Sequence, residues 1–175
     1  MNISVRLAKE EDVYEIRNLQ KETWLATYPS KKEGISVSEV KEVFANDDTP
    51  EGRAKMEERK LRYKDPNLCT WVAETDGKII GFCVGKKEPE YNRVSALYVH
   101  PDRQRKGIGR QLMLKTLEWL GKERGVLVNV ATYNLGAISF YKKFGFSEAE
   151  EKSSKSEAAK LPCGKIIPEI TLVRN

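Results

Sequence analysis

Apolar and polar residues alternate along Ile3-Ser-Val-Arg-Leu7, a period of two that predicts a first strand with one buried face. The period then changes. Val13, Ile16, Leu19 and Gln20 recur at helical spacing, and Glu10, Glu11 and Asp12 sit in the first turn of that helix, where the positive end of its dipole favours acids. Pro29 and Gly34 break the chain. A second helical stretch runs from about Ser36 to Phe44 and is punctuated by Asn46-Asp-Asp-Thr-Pro50. The highly charged stretch Glu51 to Tyr63 predicts a third helix, its charges forming a solvated face.

Strand signals dominate the middle of the chain. Thr70–Thr75 and Lys78–Gly85 are joined by Asp76-Gly77, a strong hairpin signal. Arg93–Val99 predicts the next strand. A helix follows over Gly109–Arg124, with Leu112, Leu114 or Lys115, Leu117 and Leu120 near its buried face and Gly125 ending it. Leu127–Thr132 predicts a strand, Gly136–Phe144 a short helix, and Phe146–Glu150 the start of a further strand. Residues 151–165 are polar, rich in Ser and Lys, and read as a loop before a last strand over Lys165–Val173. Strands around a few helices imply a mixed α/β fold, and the Arg93 strand, the helix and the Leu127 strand form a parallel crossover. With no internal repeat and no long linker, residues 1–175 are expected to form a single domain, large enough to bury a proper core.

Composition narrows the class. Charged residues at 33% and hydrophobic ones at 39% describe a soluble globular chain, with no window near the roughly 18 apolar residues of a membrane span. The N-terminal residues lack the pattern of a signal peptide. Three cysteines at irregular spacing predict free thiols in a reducing compartment, hence a cytoplasmic location. One histidine and no Cys-x-x-Cys pair argue against a metal site. The net charge of +5 is modest and its acids and bases are interleaved, so no nucleic-acid partner is expected. A basic surface also disfavours polycationic substrates. A homodimer is left open.

The chemistry concentrates in Leu97-Tyr-Val-His-Pro-Asp-Arg-Gln-Arg-Lys-Gly-Ile-Gly-Arg-Gln-Leu-Met113, which runs from a strand through a basic, Gly-bearing loop into a helix. Unpaired amides at a helix start, the helix dipole and nearby Arg and Lys suit a phosphate. Gly107 and Gly109 have no Cβ to keep a ligand from the backbone. The stretch is neither a Walker loop nor a dinucleotide fingerprint. Its core, Gln104-Arg-Lys-Gly107-Ile-Gly109, resembles the Gln/Arg-x-x-Gly-x-Gly/Ala signature of the GNAT superfamily of acetyl-CoA-dependent N-acetyltransferases. Asn134-Leu-Gly-Ala137-Ile-Ser-Phe140-Tyr141-Lys-Lys-Phe144-Gly145-Phe146 is similar to a second element of that superfamily. Order, spacing and the intervening strand agree, and the resemblance covers roughly residues 70–150.

The resemblance implies a mixed, mostly antiparallel twisted sheet flanked by helices, with the parallel crossover at the cofactor site. It implies acetyl-CoA as cofactor and a single N-acetyltransferase domain. Gln104, Arg105, Lys106, Gly107, Ile108, Gly109 and Arg110 would surround the pyrophosphate, the Arg105 and Lys106 side chains either adding charge or pointing to solvent. The backbone of Leu97, Tyr98 and Val99 would pair with the pantetheine arm like an added strand, and an amide at or beside Val99 would face the developing oxyanion. Tyr141 would protonate the leaving thiolate. Asn134 either caps the following helix or bonds the pantetheine. Phe144 and Phe146 read as core.

Many relatives carry a glutamate early in the strand ending at Val99, where this chain has Arg93, Val94 and Ser95. That leaves the general base among Glu88, Glu90, His100 and a water chain. Glu22-Thr-Trp24-Leu-Ala-Thr27-Tyr28 resembles a stretch of polyamine-acetylating relatives, and Trp24 and Tyr28 either pack the core or hold an aliphatic ammonium by cation–π contact. The expected acceptor is a small amine such as a polyamine. A protein lysine or N-terminus, or a CoA-binding sensor without turnover, is the alternative.

Overall fold

The computed structural model describes residues 3–149 and 159–175. The elements are β1 (Ser4–Leu7), α1 (Val13–Thr27), α2 (Val37–Glu42), α3 (Pro50–Leu61), β2 (Leu68–Thr75), β3 (Lys78–Lys86), β4 (Asn92–Val99), α4 (Ile108–Leu120), β5 (Val126–Ala131), α5 (Leu135–Lys142), β6 (Ser147–Glu148) and β7 (Glu169–Arg174). The strands form one seven-stranded sheet in the order β1-β2-β3-β4-β5-β7-β6. Only β4 and β5 pair in parallel, around the α4 crossover, and every other pair is antiparallel. The expected mixed, mostly antiparallel sheet with one parallel crossover is the architecture observed.

Alternation in the strands sorts the core into two faces. Val72 and Phe82 turn to one side with Ile79, against Ile16 and Leu19 of α1. Ala73 and Cys83 turn to the other, against Leu112, Met113 and Leu117 of α4. A third cluster of Ile35, Val40, Ala131, Leu161 and Ile167 packs the α2 region over the end of β5, and Trp24 and Tyr28 pack against it. Asp76 and Gly77 both take positive φ in the β2–β3 turn, as the hairpin signal requires.

Several boundaries differ from the sequence reading. The helix expected to reach Arg124 ends at Leu120, because Gly121 at φ 80° stops it a turn before Gly125. Its buried face is Leu112, Met113, Leu117 and Leu120, while Leu114 is 44% exposed. The acids Glu10, Glu11 and Asp12 form a short 3-10 turn before α1 rather than its first turn. Asp12 accepts from Arg6 at 2.7 Å and from the Lys9 amide at 2.7 Å, tying β1 to that turn. The last strand starts at Glu169 rather than Lys165, since Pro168 has no amide to give a ladder. Of the predicted 151–165 loop, residues 159–165 are described and include buried Leu161 and one partner of the Lys160–Ile166 bridge. Residues 151–158 and Glu150 lie outside the described residues. Among the described residues no helix is long and apolar enough to cross a membrane.

Candidate active site

β4 and β5 pair over only three positions, Asn92 to Val94 opposite Val126 to Val128. Just beyond, the β3–β4 register slips between Val84 and Gly85, leaving Ser95 as an extra residue in β4. A bulge of this kind bends its strand. From Ser95 onward both strands line a cleft of about 980 Å³. The cleft lies at the carboxyl ends of the parallel pair, the usual ligand position of an open α/β sheet. The loop and first turn of α4 form one wall, α5 another, and Thr23, Thr27 and Tyr28 enter from α1.

The β4 edge is set by alternation. His100 donates its amide to Ile80 of β3, so the peptide groups of Val99 and Leu97 turn the opposite way, toward the cleft. The Gln104 side chain confirms that direction by donating Nε2 to the Val99 carbonyl at 3.1 Å. Of the three residues singled out for their backbone, Leu97 and Val99 therefore present peptide groups to the cleft, and Tyr98 presents its side chain.

The basic loop reverses direction through two positive φ angles, 63° at Arg105 and 79° at Gly107. The conformation, rather than crowding, requires glycine at 107, since a Cβ there meets nothing within 4 Å. At Gly109 a Cβ would make ordinary contacts of 3.6 Å with Phe140 and 3.7 Å with Val99. Gln111 donates to the Gly107 carbonyl at 3.1 Å, which starts the helical ladder and leaves the amides of Ile108, Gly109 and Arg110 without intrahelical acceptors. Arg105, Gly107, Ile108, Gly109 and Arg110 all line the cleft. Lys106 does not; its ammonium turns back to the Asp102 carbonyl. A helix N-terminus flanked by arginines has the amides and charge to hold an anion, and it lies beside the open β4 edge in the same cleft.

Opposite this wall, Asn134 caps α5 by accepting from the Ala137 amide at 3.1 Å, and it also lines the cleft. Tyr141 lines the cleft while only 6% exposed, its ring held edge-on by Phe140 and Phe146. Burial pushes its phenol well above the ordinary tyrosine range, so the hydroxyl keeps its proton and is available as a donor. Phe146 is core, whereas Phe144 belongs to the cleft wall.

On the α1 side, Trp24 lies outside the cleft lining, edge-on to Tyr28 at 4.7 Å and to Phe44 at 5.8 Å. Tyr28 does line it, and its hydroxyl meets that of Tyr98 at 3.0 Å. The Tyr133 hydroxyl donates to the Tyr28 carbonyl at 2.9 Å and fixes the end of α1. Arg93 pairs with Glu88 at 3.5 Å and donates to Asn129 at 3.4 Å. Glu88 is half-buried, but Lys86 and Arg93 hold its carboxyl below the usual range. His100 sits in the turn after β4, Nδ1 accepting from the Asp102 amide and Nε2 3.3 Å from Glu22. Among the described residues no group of three or more His, Cys, Asp or Glu is gathered as for a metal.

Two polar residues here escaped the sequence reading. Asn129 was visible as the polar interruption of an apolar strand, and it lines the cleft. Glu169 carried no local signal, because the sheet brings it beside β5 from the far end of the chain, opposite Ala131.

Comparison with known proteins agrees with this geometry. The acetyltransferase (GNAT) family pattern matches residues 13–146. The chain is 36% identical over 90 residues to the uncharacterized N-acetyltransferase MJ1207 of Methanocaldococcus jannaschii, a match spanning 46% of this chain and 39% of that protein. It is 33% identical over 122 residues to the peptidyl-lysine N-acetyltransferase YjaB of Salmonella typhimurium, covering 69% of this chain and 74% of the relative. In fold it is similar to the PaiA N-acetyltransferase of Thermoplasma acidophilum crystallised with coenzyme A, at a TM-score of 0.73 and 19% identity over 100% of this chain and 99% of that one.

Proposed function

The chain belongs to the acetyltransferase (GNAT) family, and from that premise we propose that it transfers the acetyl group of acetyl-CoA to a primary amine within the β4–β5 cleft. One observation carries the reading: the cleft joins an anion-binding helix start, an open strand edge and a buried phenol in a single space. Acetyl-CoA supplies the activated thioester; the chain supplies position, charge and protons. The amides of Ile108, Gly109 and Arg110, with the Arg105 and Arg110 side chains, hold the pyrophosphate. Leu97 and Val99 offer their peptide groups to the pantetheine amides, and the Val99 amide faces the carbonyl oxygen as charge develops. Tyr141 gives its proton to the departing thiolate as the C–S bond breaks, and the proton shed by the amine as its N–C bond forms restores the phenol. The sheet draws strands from Ser4 to Arg174, which supports residues 1–175 as one catalytic domain.

The acceptor in this reading is a primary amine on an aliphatic stem. The likeness to YjaB supports a lysine side chain, and the Glu22–Tyr28 stretch supports a polyamine. Arg93 at the place of the usual glutamate favours a second reading, a CoA-binding sensor without turnover. The test is incubation with acetyl-CoA and a panel of spermidine, amino acids, aminoglycosides and lysine peptides, followed by mass spectrometry. An acetylated primary amine is expected. Cofactor binding without any acetylated product would select the sensor.

A further inference from the structure

The α1 side of the cleft carries an arrangement that cofactor chemistry does not use. Tyr28 and Tyr98 share one hydrogen bond of 3.0 Å between their hydroxyls. One hydroxyl donates in that bond, so lone pairs remain on both oxygens. Burial pushes the Tyr98 phenol up to about 12 and Tyr28 higher still, so both stay neutral and receive donors rather than ionise. Glu169 lies within electrostatic reach of both hydroxyls, although it does not itself line the cleft. It opposes Ala131 in the β5–β7 register, and its Oε2 accepts from Asn129 Nδ2 at 3.4 Å. Asn129 and Ala131 both line the cleft. Glu169 is half-buried, and among the described residues it takes part in no ion pair of 4.0 Å or less. Its burial raises it above the ordinary carboxylate range, against hydrogen bonds from Asn129 and the Ala159 amide.

We infer that Glu169 is a positioning carboxylate that draws the acceptor's ammonium to the α1 side of the cleft, where the Tyr28 and Tyr98 hydroxyls receive it. The inference rests on the acetyltransferase reading and names the acceptor's charge. An ammonium brings donors and no acceptor, and the site offers acceptor oxygens beside a negative charge with reduced solvent screening. Arg93 does not cancel that charge, since its guanidinium is engaged with Glu88 and with the far side of the Asn129 amide. The same site disfavours an apolar group in the amine's place, because the half-buried carboxylate would then meet no cation among the described residues.

Calorimetric titration separates charge recognition from packing. The probes are Nα-acetyl-lysine amide and Nα-acetyl-norleucine amide, which share a stem and differ in the ammonium, each titrated into the whole protein with and without CoA. Wild type is expected to prefer the lysine probe by about tenfold or more. Glu169→Gln should bring the two probes close to parity, Glu169→Asp should keep most of the preference, and Tyr98→Phe should weaken the lysine probe selectively. CoA affinity should stay unchanged in Glu169→Gln. Absence of preference in wild type, a preference that survives Glu169→Gln, or equal loss of both probes would overturn the inference. Failure of CoA to bind wild type would instead strike the acetyltransferase reading, and the titrations without CoA would still judge Glu169.

Discussion

Tyr141 shows how much a single position depends on its surroundings. Its motif marked it as a candidate acid, and its ring stands in the cleft wall between Phe140 and Phe146, where burial raises the phenol: the proton is held at rest, and leaving a bare phenolate is costly, so the proton given up must be replaced as it leaves. Tyr141→Phe keeps the ring and removes the proton. It should lower kcat by about 10²-fold or more while acetyl-CoA affinity in titration stays near wild type. Equal turnover in the variant would exclude the hydroxyl as the acid. Other residues were legible only by type. Asn134 as a cap follows from an Asn before a short helix, whereas the Tyr28–Tyr98 hydroxyl contact joins residues 70 positions apart and has no trace in local spacing. Glu169 is the extreme case, placed beside the cleft by strand order alone.

At the scale of elements, periodicity located nearly every strand and helix, and errors cluster where one residue's conformation overrides the pattern. Gly121 ends α4 early, and Pro168 delays β7. The turn into α4 was legible in composition, but its shape depends on positive φ at Arg105 and Gly107. Gly107→Asp adds a charge where the anion is proposed to sit, and Gly107→Asn strains the same φ without that charge. Titrated with CoA, the Asp variant should lose about tenfold or more in affinity relative to the Asn variant. Similar affinities would move the pyrophosphate away from this turn. At the other edge of the sheet, Arg6 bridges Asp12 at 2.7 Å and Glu74 at 2.8 Å. Burial pushes the Asp12 carboxyl up, but hydrogen bonds from Arg6 and the Lys9 amide overcome it and hold the group below its ordinary range. A depressed carboxyl contributes stability that is present above its unfolded pKa, about 4, and is lost as pH falls through its folded value. Asp12→Asn should therefore cost about 2 kcal/mol in denaturant melts at neutral pH, partial exposure of Arg6 keeping the figure modest. The difference from wild type should shrink at pH about 3. A constant difference would show that the pair contributes through shape rather than charge.

For the whole molecule, function follows from where the sheet opens. Three parallel pairs hold β4 to β5, the Ser95 bulge turns β4 aside, and the space between them collects groups from α1, α4, α5 and both strands. The two motifs were readable in the chain because they belong to continuous segments, strand-loop-helix and turn-helix-turn. The acceptor side was not, because it is assembled across the sheet from α1, β4, β5 and β7. The central claim is that this opening is an acetyl-CoA cleft, and calorimetric titration of the whole protein with acetyl-CoA tests it most directly. Saturable binding with a Kd of about 10 μM or tighter, competed by CoA, is the predicted result. No heat of binding at about 1 mM acetyl-CoA would contradict it.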